Sequence, residues 1–246
     1  MRRKGTMTDH SINSEFLNEK IPFKIYKPEV FSPLYKYHVA IMQDGNDYFQ
    51  LGRMATISDD LHSQRRIDRT IFVGIPYQDK YDRSKKYHPN GEHNESYIRF
   101  LVHEMVPFLD DLLPTYQMGH GRILIGDSLG GTVSLMAACR YAHTFGKVIM
   151  QSPYVDEKVM DAVNHAPLLQ QVDIYHTIGI AEESVTTTDG KTLDFLSANR
   201  ELNQILTKKK LSYTYHELEG DHNWGTWQKD LPNALLTLLG KSEQEG

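Results

Sequence analysis

The sequence predicts an α/β fold in which helices cover both faces of a mostly parallel central sheet. Three observations predict this fold class. Short β-branched or aromatic runs recur along the 246 residues, amphipathic or alanine-rich segments separate them, and polar turns follow the runs. Strands that alternate with helices form βαβ units and a parallel sheet, whose ligands bind at the carboxyl ends of the strands.

The first predicted strands lie in the N-terminal third of the chain. Residues 21–26 alternate apolar and polar side chains, and residues 37–42 form a short apolar run that ends at an Asp-Gly turn, residues 44–47. Residues 48–62 have a mixed pattern that becomes helical toward their end. Residues 69–76 are β-branched and aromatic and end at a proline, which indicates a buried parallel strand.

A polar loop and a kinked helix are predicted next. Residues 77–95 are rich in tyrosine, charged residues, asparagine and glycine, which indicates a long loop beside a substrate pocket. Its histidines, His88 and His93, have no third ligand at a spacing typical of metal sites, so we predict no metal and no cofactor. Residues 97–113 have apolar side chains at helical spacing, with a kink or break at Pro107.

The second half of the chain continues the alternation of strands and helices, and its elements follow from the same patterns. In chain order the predictions are a strand at 122–125, a helix-forming run at 132–138, a strand at 147–153, a helical or lid-like segment at 156–165, a strand at 174–179, a helix at 193–208 and a last strand at 212–218.

Composition limits the class of protein. The chain is 39% hydrophobic and 24% charged, as ordinary globular proteins are, and we expect residues 16–240 to form a single domain. Residues 1–15 are basic at first and then polar, which predicts a flexible leader and no secretory signal. The net charge of -5 provides no basic field for nucleic acid, and no stretch is long enough to span a membrane.

Cysteine use is compatible with a reducing compartment. Cys139 is the one cysteine in the chain, so it has no internal disulfide partner, and its apolar surroundings indicate a small buried residue. We therefore expect a cytoplasmic protein. The sequence leaves the oligomeric state open, with a homodimer as one option.

The central motif of the chain is Gly126-Asp127-Ser128-Leu129-Gly130. A G-x-S-x-G sequence between an apolar β-type run and an alanine-rich helix is the context of a nucleophile elbow, with Ser128 on a strained turn. Backbone N–H groups and the helix dipole there favour developing negative charge. The backbone N–H of Asn46, in the loop after a predicted inner strand, is our candidate for a second donor. The alternatives are a glycine-rich turn at 126–130 and a simple Asp-Gly turn, neither with a chemical role.

A serine hydroxyl needs a general base and an acidic residue that orients the base. With this elbow the chain order is serine, then acid, then histidine, and His222 follows the last predicted strand. Glu182 and Glu183 follow the preceding strand, with Asp189 and Asp194 further along. Glu182 is favoured because it lies closest behind the strand end, and Asp194 remains the main alternative.

With these residues in place, the sequence resembles the esterase family of the α/β-hydrolase superfamily that includes enterochelin esterases, S-formylglutathione hydrolases (esterase D) and the mycolyltransferase antigens. The resemblance covers residues 16–239 and rests on the motifs at 44–49, 83–89, 126–131 and 220–227. The last motif is the most typical of the enterochelin esterase-like branch. The resemblance implies an α/β-hydrolase fold.

The resemblance also implies roles for individual residues. Ser128 would be the nucleophile, His222 the base, and the N–H groups of Asn46 and Leu129 the oxyanion hole. It favours Glu182 as the acid, although the segment 184–192 looks inserted and would be able to bring Asp189 or Asp194 into the site. Four residues in or beside the same motifs are expected to bind substrate: Asp47, Tyr48, Arg83 and Trp224.

We therefore expect a serine carboxylesterase that acts on a small-molecule ester through an acyl-enzyme. Two alternatives stay open. One is a siderophore esterase that hydrolyses a catecholate tri-lactone, bound through cationic and aromatic side chains. Those side chains would be Arg83, Lys85, Lys86, Trp224 and Trp227. The other is a non-catalytic binding protein on a hydrolase fold, because fold alone does not imply function.

Overall fold

The computed structural model describes residues 3–241, and its strands confirm the predicted parallel sheet. Eight strands in this part of the chain form one sheet in the order β1-β2-β4-β3-β5-β6-β7-β10, and β8 and β9 pair with each other as a small hairpin. The strands are β1 (Thr6–Ser14), β2 (Glu19–Lys27), β3 (His38–Met42), β4 (Thr70–Gly74), β5 (Arg122–Asp127), β6 (Lys147–Gln151), β7 (Asp173–Gly179), β8 (Val185–Thr186), β9 (Thr192–Leu193) and β10 (Tyr213–Leu218).

Helices cover both faces of the sheet, as predicted. One buried cluster packs α1, α2 and α9 on one face, and a second packs α4 to α8 on the other. These helices are α1 (Gly45–Gln50), α2 (Met54–Ser63), α3 (Lys80–Tyr87), α4 (Asn94–Phe100), α5 (Val106–Leu112), α6 (Leu129–Arg140), α7 (Glu157–Asn164), α8 (Phe195–Lys208) and α9 (Trp224–Leu239). Each helix between residues 3 and 241 is too short or too polar to cross a membrane.

The direction of the inner strands brings three loops to one edge of the sheet. From β4 through β3, β5, β6 and β7 to β10, neighbouring strands run parallel, whereas β1 and β2 are antiparallel. The segments after β5, β7 and β10 therefore leave the sheet at the same edge. They contain Ser128, Glu182 and His222 respectively.

The predicted flexible leader is wrong for most of its length. Thr6–Ser14 forms β1, which pairs residue by residue with β2, from Thr6 opposite Lys27 to Ser14 opposite Glu19. As an edge strand, β1 buries little apolar surface. Met7 packs against the buried cluster on one face of the sheet and Ile12 against the cluster on the other. A short alternating strand with polar residues on its open face is therefore easily mistaken for a leader. Residues 1–2 lie outside the described part of the chain.

Two further predictions differ in detail. The predicted polar loop at 77–95 contains α3, whose Asp79 cap accepts hydrogen bonds from the backbone N–H groups of Tyr81 and Asp82. The predicted kinked helix is α4 and α5 joined by a π-helical turn, Leu101–Met105. Pro107 lies at the start of α5, where its missing N–H costs little, so the wider turn occurs at the expected break.

Candidate functional site

Ser128 lies on a strained turn between β5 and α6. Its backbone angles are φ 50° and ψ −125°, a region that side-chain-bearing residues rarely adopt. The turn is tight enough that a Cβ at Gly126 would lie 2.1 Å from the carbonyl carbon of Gly130. Glycine is therefore required at position 126, as the sequence motif indicates, and the turn places Ser128 at the N-terminus of a buried helix.

His222 joins Ser128 to Glu182 through hydrogen bonds. Its Nε2 lies 3.0 Å from Ser128 Oγ, and its Nδ1 lies 2.6 Å from Glu182 Oε2. Because an ionised carboxylate only accepts, Nδ1 donates to Glu182, and the neutral ring then accepts from the Ser128 hydroxyl at Nε2. The ring stands edge-on between Phe195 and Trp227, with centroids at 4.7 and 4.9 Å. Packing on both sides keeps the imidazole in this orientation.

Glu182 is fully buried and held by donors from two elements. Its Oε1 accepts hydrogen bonds from Ser152 Oγ at 2.5 Å and from the backbone N–H of Gly179 at 2.9 Å. Ser152 Oγ in turn accepts from Trp227 Nε1 at 2.9 Å. Oε2 is thereby directed toward His222. Ser152 has no part in the predicted site, and the signal that could have found it is its position directly after β6.

The other candidate acids lie elsewhere. Asp194 caps α8, where it accepts a hydrogen bond from the backbone N–H of Ser197. Hydrogen bonding to the side chain and the backbone of Ser197 lowers the pKa of Asp194. Asp189 accepts from Thr187 Oγ1 in the exposed β8–β9 turn, and the side chain of Glu183 is exposed. Glu182 is therefore the carboxylate that contacts His222.

The two candidate N–H donors lie at the starts of neighbouring helices. Asn46 is the second residue of α1, and Leu129 is the first residue of α6. The first N–H groups of a helix have no acceptor within the helix, so both positions suit an anion or a developing oxyanion. The two helices follow β3 and β5, which are adjacent in the sheet.

A buried charge cluster lies beneath the serine turn. Arg83 donates to Asp44 from Nε at 2.9 and 3.0 Å and from Nη2 at 2.6 Å, and Nη2 lies 3.9 Å from Asp127 Oδ2. Burial raises the pKa of Asp127, and the nearby Asp44 carboxylate adds to the shift. Burial also raises the pKa of Asp44, against the opposing effect of Arg83. The guanidinium of Arg83 therefore lies next to two buried carboxyl groups, those of Asp44 and Asp127.

A cavity of about 730 Å³ opens above Ser128 and His222. Its walls come from α3, the loop after it, the β8–β9 hairpin and the aromatic side chains of Tyr77, Tyr154, Phe195 and Trp227. Cavities of this size hold ligands much larger than an acetyl group. The site therefore has room for an ester with a large acyl or alcohol part.

The residues predicted to bind substrate divide into two pairs. Asp47 and Arg83 line the cavity, and Asp47 Oδ2 accepts a hydrogen bond from Tyr77 Oη at 3.1 Å. Tyr48 and Trp224 are not among the described residues that line it. Tyr48 is fully buried with its hydroxyl on Gln151, and the Trp224 ring packs edge-on against Tyr48 at 4.8 Å. The Tyr48 side chain points into the core, whereas Trp224 is half-buried and packs against the edge of the same cluster.

The chain is similar to known proteins over most of its length. The chain is 50% identical over 237 residues to the uncharacterized protein YjcH of Bacillus subtilis (strain 168), covering 96% of this chain and 99% of that protein. A solved ferulic acid esterase matches with a TM-score of 0.77 at 16% identity, covering 97% of this chain and 98% of that chain.

The enterobactin esterase of Shigella flexneri, solved in the presence of enterobactin, matches with a TM-score of 0.80 at 19% identity. That match covers 95% of this chain but only 58% of the Shigella chain. At such identities the likeness shows the shared α/β-hydrolase fold alone. A family model described as "Putative esterase" matches residues 14–238, and the chain therefore belongs to this esterase family.

Proposed function

We propose that the protein is a serine carboxylesterase with Ser128, His222 and Glu182 as its catalytic triad. Membership in the esterase family supports ester hydrolysis in general. The observation that supports the serine mechanism is the hydrogen-bonded chain from Ser128 Oγ through His222 to Glu182, on the floor of a cavity. A serine activated by a base that an acid orients is the arrangement that acyl transfer requires.

In the proposed reaction Ser128 Oγ attacks the ester carbonyl while its proton moves to His222 Nε2. The carbonyl oxygen becomes an oxyanion, which the N–H groups of Asn46 and Leu129 would stabilise. Collapse of this intermediate breaks the bond to the alcohol, which leaves with the proton from His222. Water, deprotonated by His222, then attacks the acyl-enzyme. The bond between the acyl carbon and Ser128 Oγ breaks, Oγ takes the proton back from His222, and the acid is released. Glu182 stabilises the imidazolium in both halves of the reaction.

The size and lining of the cavity favour an ester with a large or aromatic group. A volume of about 730 Å³ and several aromatic walls would leave a short acyl ester loosely held. The same observation keeps a catecholate tri-lactone as the second candidate substrate. Among the cationic residues considered for it, Arg83 pairs with Asp44 and Lys86 with Glu19 and Asp82, and both side chains are largely buried. Lys85 pairs with Glu92 at 3.2 Å but is exposed at the cavity, so it is the most accessible of the three to a ligand.

A replacement of the nucleophile tests the proposal. Ser128→Ala should abolish turnover of nitrophenyl butyrate and covalent labelling by a fluorophosphonate probe, whereas Ser63→Ala, at the exposed end of α2, should change neither. Labelling that persists in Ser128→Ala would refute the assignment. Wild-type protein that turns over no ester and takes no label would favour the non-catalytic binding protein.

The acid is tested by a matched pair of amide substitutions. Glu182→Gln keeps the shape of the side chain but no longer stabilises the imidazolium, so kcat should fall on the order of 10³-fold or more. Asp194→Asn retains a good helix cap and should leave kcat unchanged. A large loss of kcat in Asp194→Asn with little loss in Glu182→Gln would reverse the assignment.

A cytoplasmic location and the oligomeric state remain predictions from the sequence.

A further inference from the structure

The first turns of α1 and α6 meet at the carboxylate of Asp44. This residue immediately precedes α1 in a left-handed backbone conformation, φ 54° and ψ 40°, and its side chain makes no capping hydrogen bond to that helix. Its Oδ2 lies 3.1 Å from the position that a Cβ at Gly130 would take, in the first turn of α6. The carboxylate therefore fills the space between the two helix starts that carry Asn46 and Leu129.

Arg83 of α3 holds that carboxylate in place. Its Nε and Nη2 donate to both oxygens of Asp44, with a shortest distance of 2.6 Å, and the side chains are only 14% and 2% exposed. Nη2 also donates to the carbonyl oxygen of Asp127, the residue before Ser128, at 3.3 Å. A bidentate arginine–carboxylate contact fixes direction as well as distance. Arg83 thus contacts both segments that lead into the candidate N–H donors: the residue before α1 and the residue before the serine.

We propose that Arg83 is a positioning residue that acts through Asp44 to align the Asn46 and Leu129 N–H groups for the oxyanion. This role rests on the proposed esterase function and differs from the substrate contact that the sequence predicts for Arg83. A substrate contact would need guanidinium N–H groups directed into the cavity. Most of the hydrogen bonds of Arg83 go instead to Asp44 and to the serine turn.

Arg83 also compensates the negative charge of Asp44. A buried carboxylate next to a developing oxyanion would oppose catalysis, because like charges repel strongly where solvent is excluded. Arg83 neutralises Asp44 and lies 3.9 Å from Asp127 Oδ2. Loss of Arg83 alone would leave a buried carboxylate without its cation. Loss of both Arg83 and the Asp44 charge would remove that repulsion and leave only the misalignment.

Three variants separate alignment from charge: Arg83→Met, Asp44→Asn and the double variant. We expect Arg83→Met to lower kcat on nitrophenyl butyrate on the order of 10²-fold with KM nearly unchanged, as the loss of an oxyanion donor does. The double variant should regain part of that loss, so the two substitutions are not additive. The ratio of kcat for an ester to kcat for its thionoester should also fall in Arg83→Met, because sulfur depends less on well-aligned donors.

A second arginine–aspartate pair provides the matched control. Arg122 and Asp110 are 2.5 Å apart at the amino end of β5, with side chains 11% and 18% exposed, and they lie away from the cavity. Arg122→Met should lower stability as Arg83→Met does, but leave kcat and the thionoester ratio unchanged. The proposal is overturned if Arg83→Met raises KM at constant kcat, or if Arg122→Met loses as much kcat.

Amide resonances test the alignment without any substrate. In ¹⁵N–¹H spectra, the Asn46 and Leu129 signals should shift in Arg83→Met and stay in place in Arg122→Met. Unshifted signals in Arg83→Met would refute the positioning role even in an active enzyme. If the wild-type protein turned over no ester, the esterase proposal would fail on its own, whereas the spectra would still decide whether Arg83 aligns the two helix starts.

Discussion

At the scale of single residues, the orientation of Glu182 depends on groups that never reach the cavity floor. Ser152 and the backbone of Gly179 occupy one carboxylate oxygen, so the other faces His222. Ser152 itself has φ 47°, a strained conformation for a serine, and is fully buried. Ser128 and Ser152 both have strained backbone conformations, so the surrounding packing must hold them in the geometry of the site.

Replacing Ser152 should therefore reduce catalysis as well as stability. Ser152→Ala removes a donor from Glu182 Oε1 and leaves the buried Trp227 N–H without its acceptor, a loss of about 1–3 kcal/mol in the free energy of unfolding. A carboxylate with freer rotation orients His222 less well, so kcat should fall about tenfold. Steady-state kinetics and urea unfolding measure the two effects.

The control is another buried serine. Ser58 of α2 bonds His62 at 3.2 Å, on the far side of the sheet from α6. Ser58→Ala should lower stability and leave kcat unchanged. An unchanged kcat in Ser152→Ala would mean that Gly179 and His222 suffice to orient the acid.

At the scale of elements, strand and helix patterns predict the inner part of the fold well, because inner strands are buried over almost their whole length and contain apolar runs. All five residues of β4 and all six of β5 are buried, and each gives a clear apolar run. By contrast, α3 consists mostly of charged residues and tyrosines that pair with one another, so it has no apolar periodicity to find. Edge strand β1 is missed for the same reason. Elements stabilised by caps, ion pairs and edge pairing leave little trace in hydrophobic patterns.

The β8–β9 hairpin is the element that we expect to set the size of the bound ester. Residues of its turn, including Thr187, Asp189 and Lys191, line the cavity. Val185 of β8 anchors the hairpin in a small apolar cluster with Phe195 of α8, and these two residues line the cavity as well. Replacing residues 187–191 by Asn-Gly keeps a hairpin but removes this wall. KM for an ester with a large aromatic acyl group should rise about tenfold, which corresponds to ~1.4 kcal/mol of lost contact.

The acetyl ester serves as an internal control for the hairpin variant. It is too small to reach the turn, so its kcat and KM should stay close to wild type. An equal loss on both esters would show that the hairpin supports the triad and not the substrate. That result would also reopen the question of Asp189, which the replacement removes.

At the scale of the whole molecule, the chemistry depends on topology that the sequence states only indirectly. The strand-by-strand alternation predicts a parallel sheet, and a parallel sheet brings the ends of β5, β7 and β10 together. The proximity of Ser128, Glu182 and His222, which follow these three strands, can therefore be predicted from the sequence. What the sequence leaves open is which side chains around them are paired and buried, as with Arg83 and Tyr48. Pairing depends on contacts between segments far apart in the chain, and local patterns do not encode them.

A buried histidine in β7 connects this strand to β10 and to α8, and it makes the folding stability depend on pH. His176 of β7 bonds Tyr213 of β10 at 2.9 Å and Asn199 of α8 at 2.7 Å. Burial lowers its pKa to about 4 from an ordinary value of 6.5. Above pH 6.5 the ring is neutral in both folded and unfolded states. Between pH 6.5 and about 4 only the unfolded chain binds the proton, so folding stability falls as the pH falls through this window.

The size of this effect is about 3 kcal/mol, because each pKa unit corresponds to ~1.4 kcal/mol. The raised pKa values of Asp44, Asp127 and Asp230 act in the opposite direction, since the folded protein binds those protons first. The wild-type pH profile therefore mixes both signs, and His176→Gln isolates one of them. Gln still has a hydrogen-bonding side chain for Tyr213 or Asn199 but does not titrate. In urea unfolding from pH 7 to 4, the variant should lose less of its free energy of unfolding than the wild type. If the free energies of unfolding of the two proteins fall in parallel, His176 takes up its proton in the folded protein and the prediction is wrong.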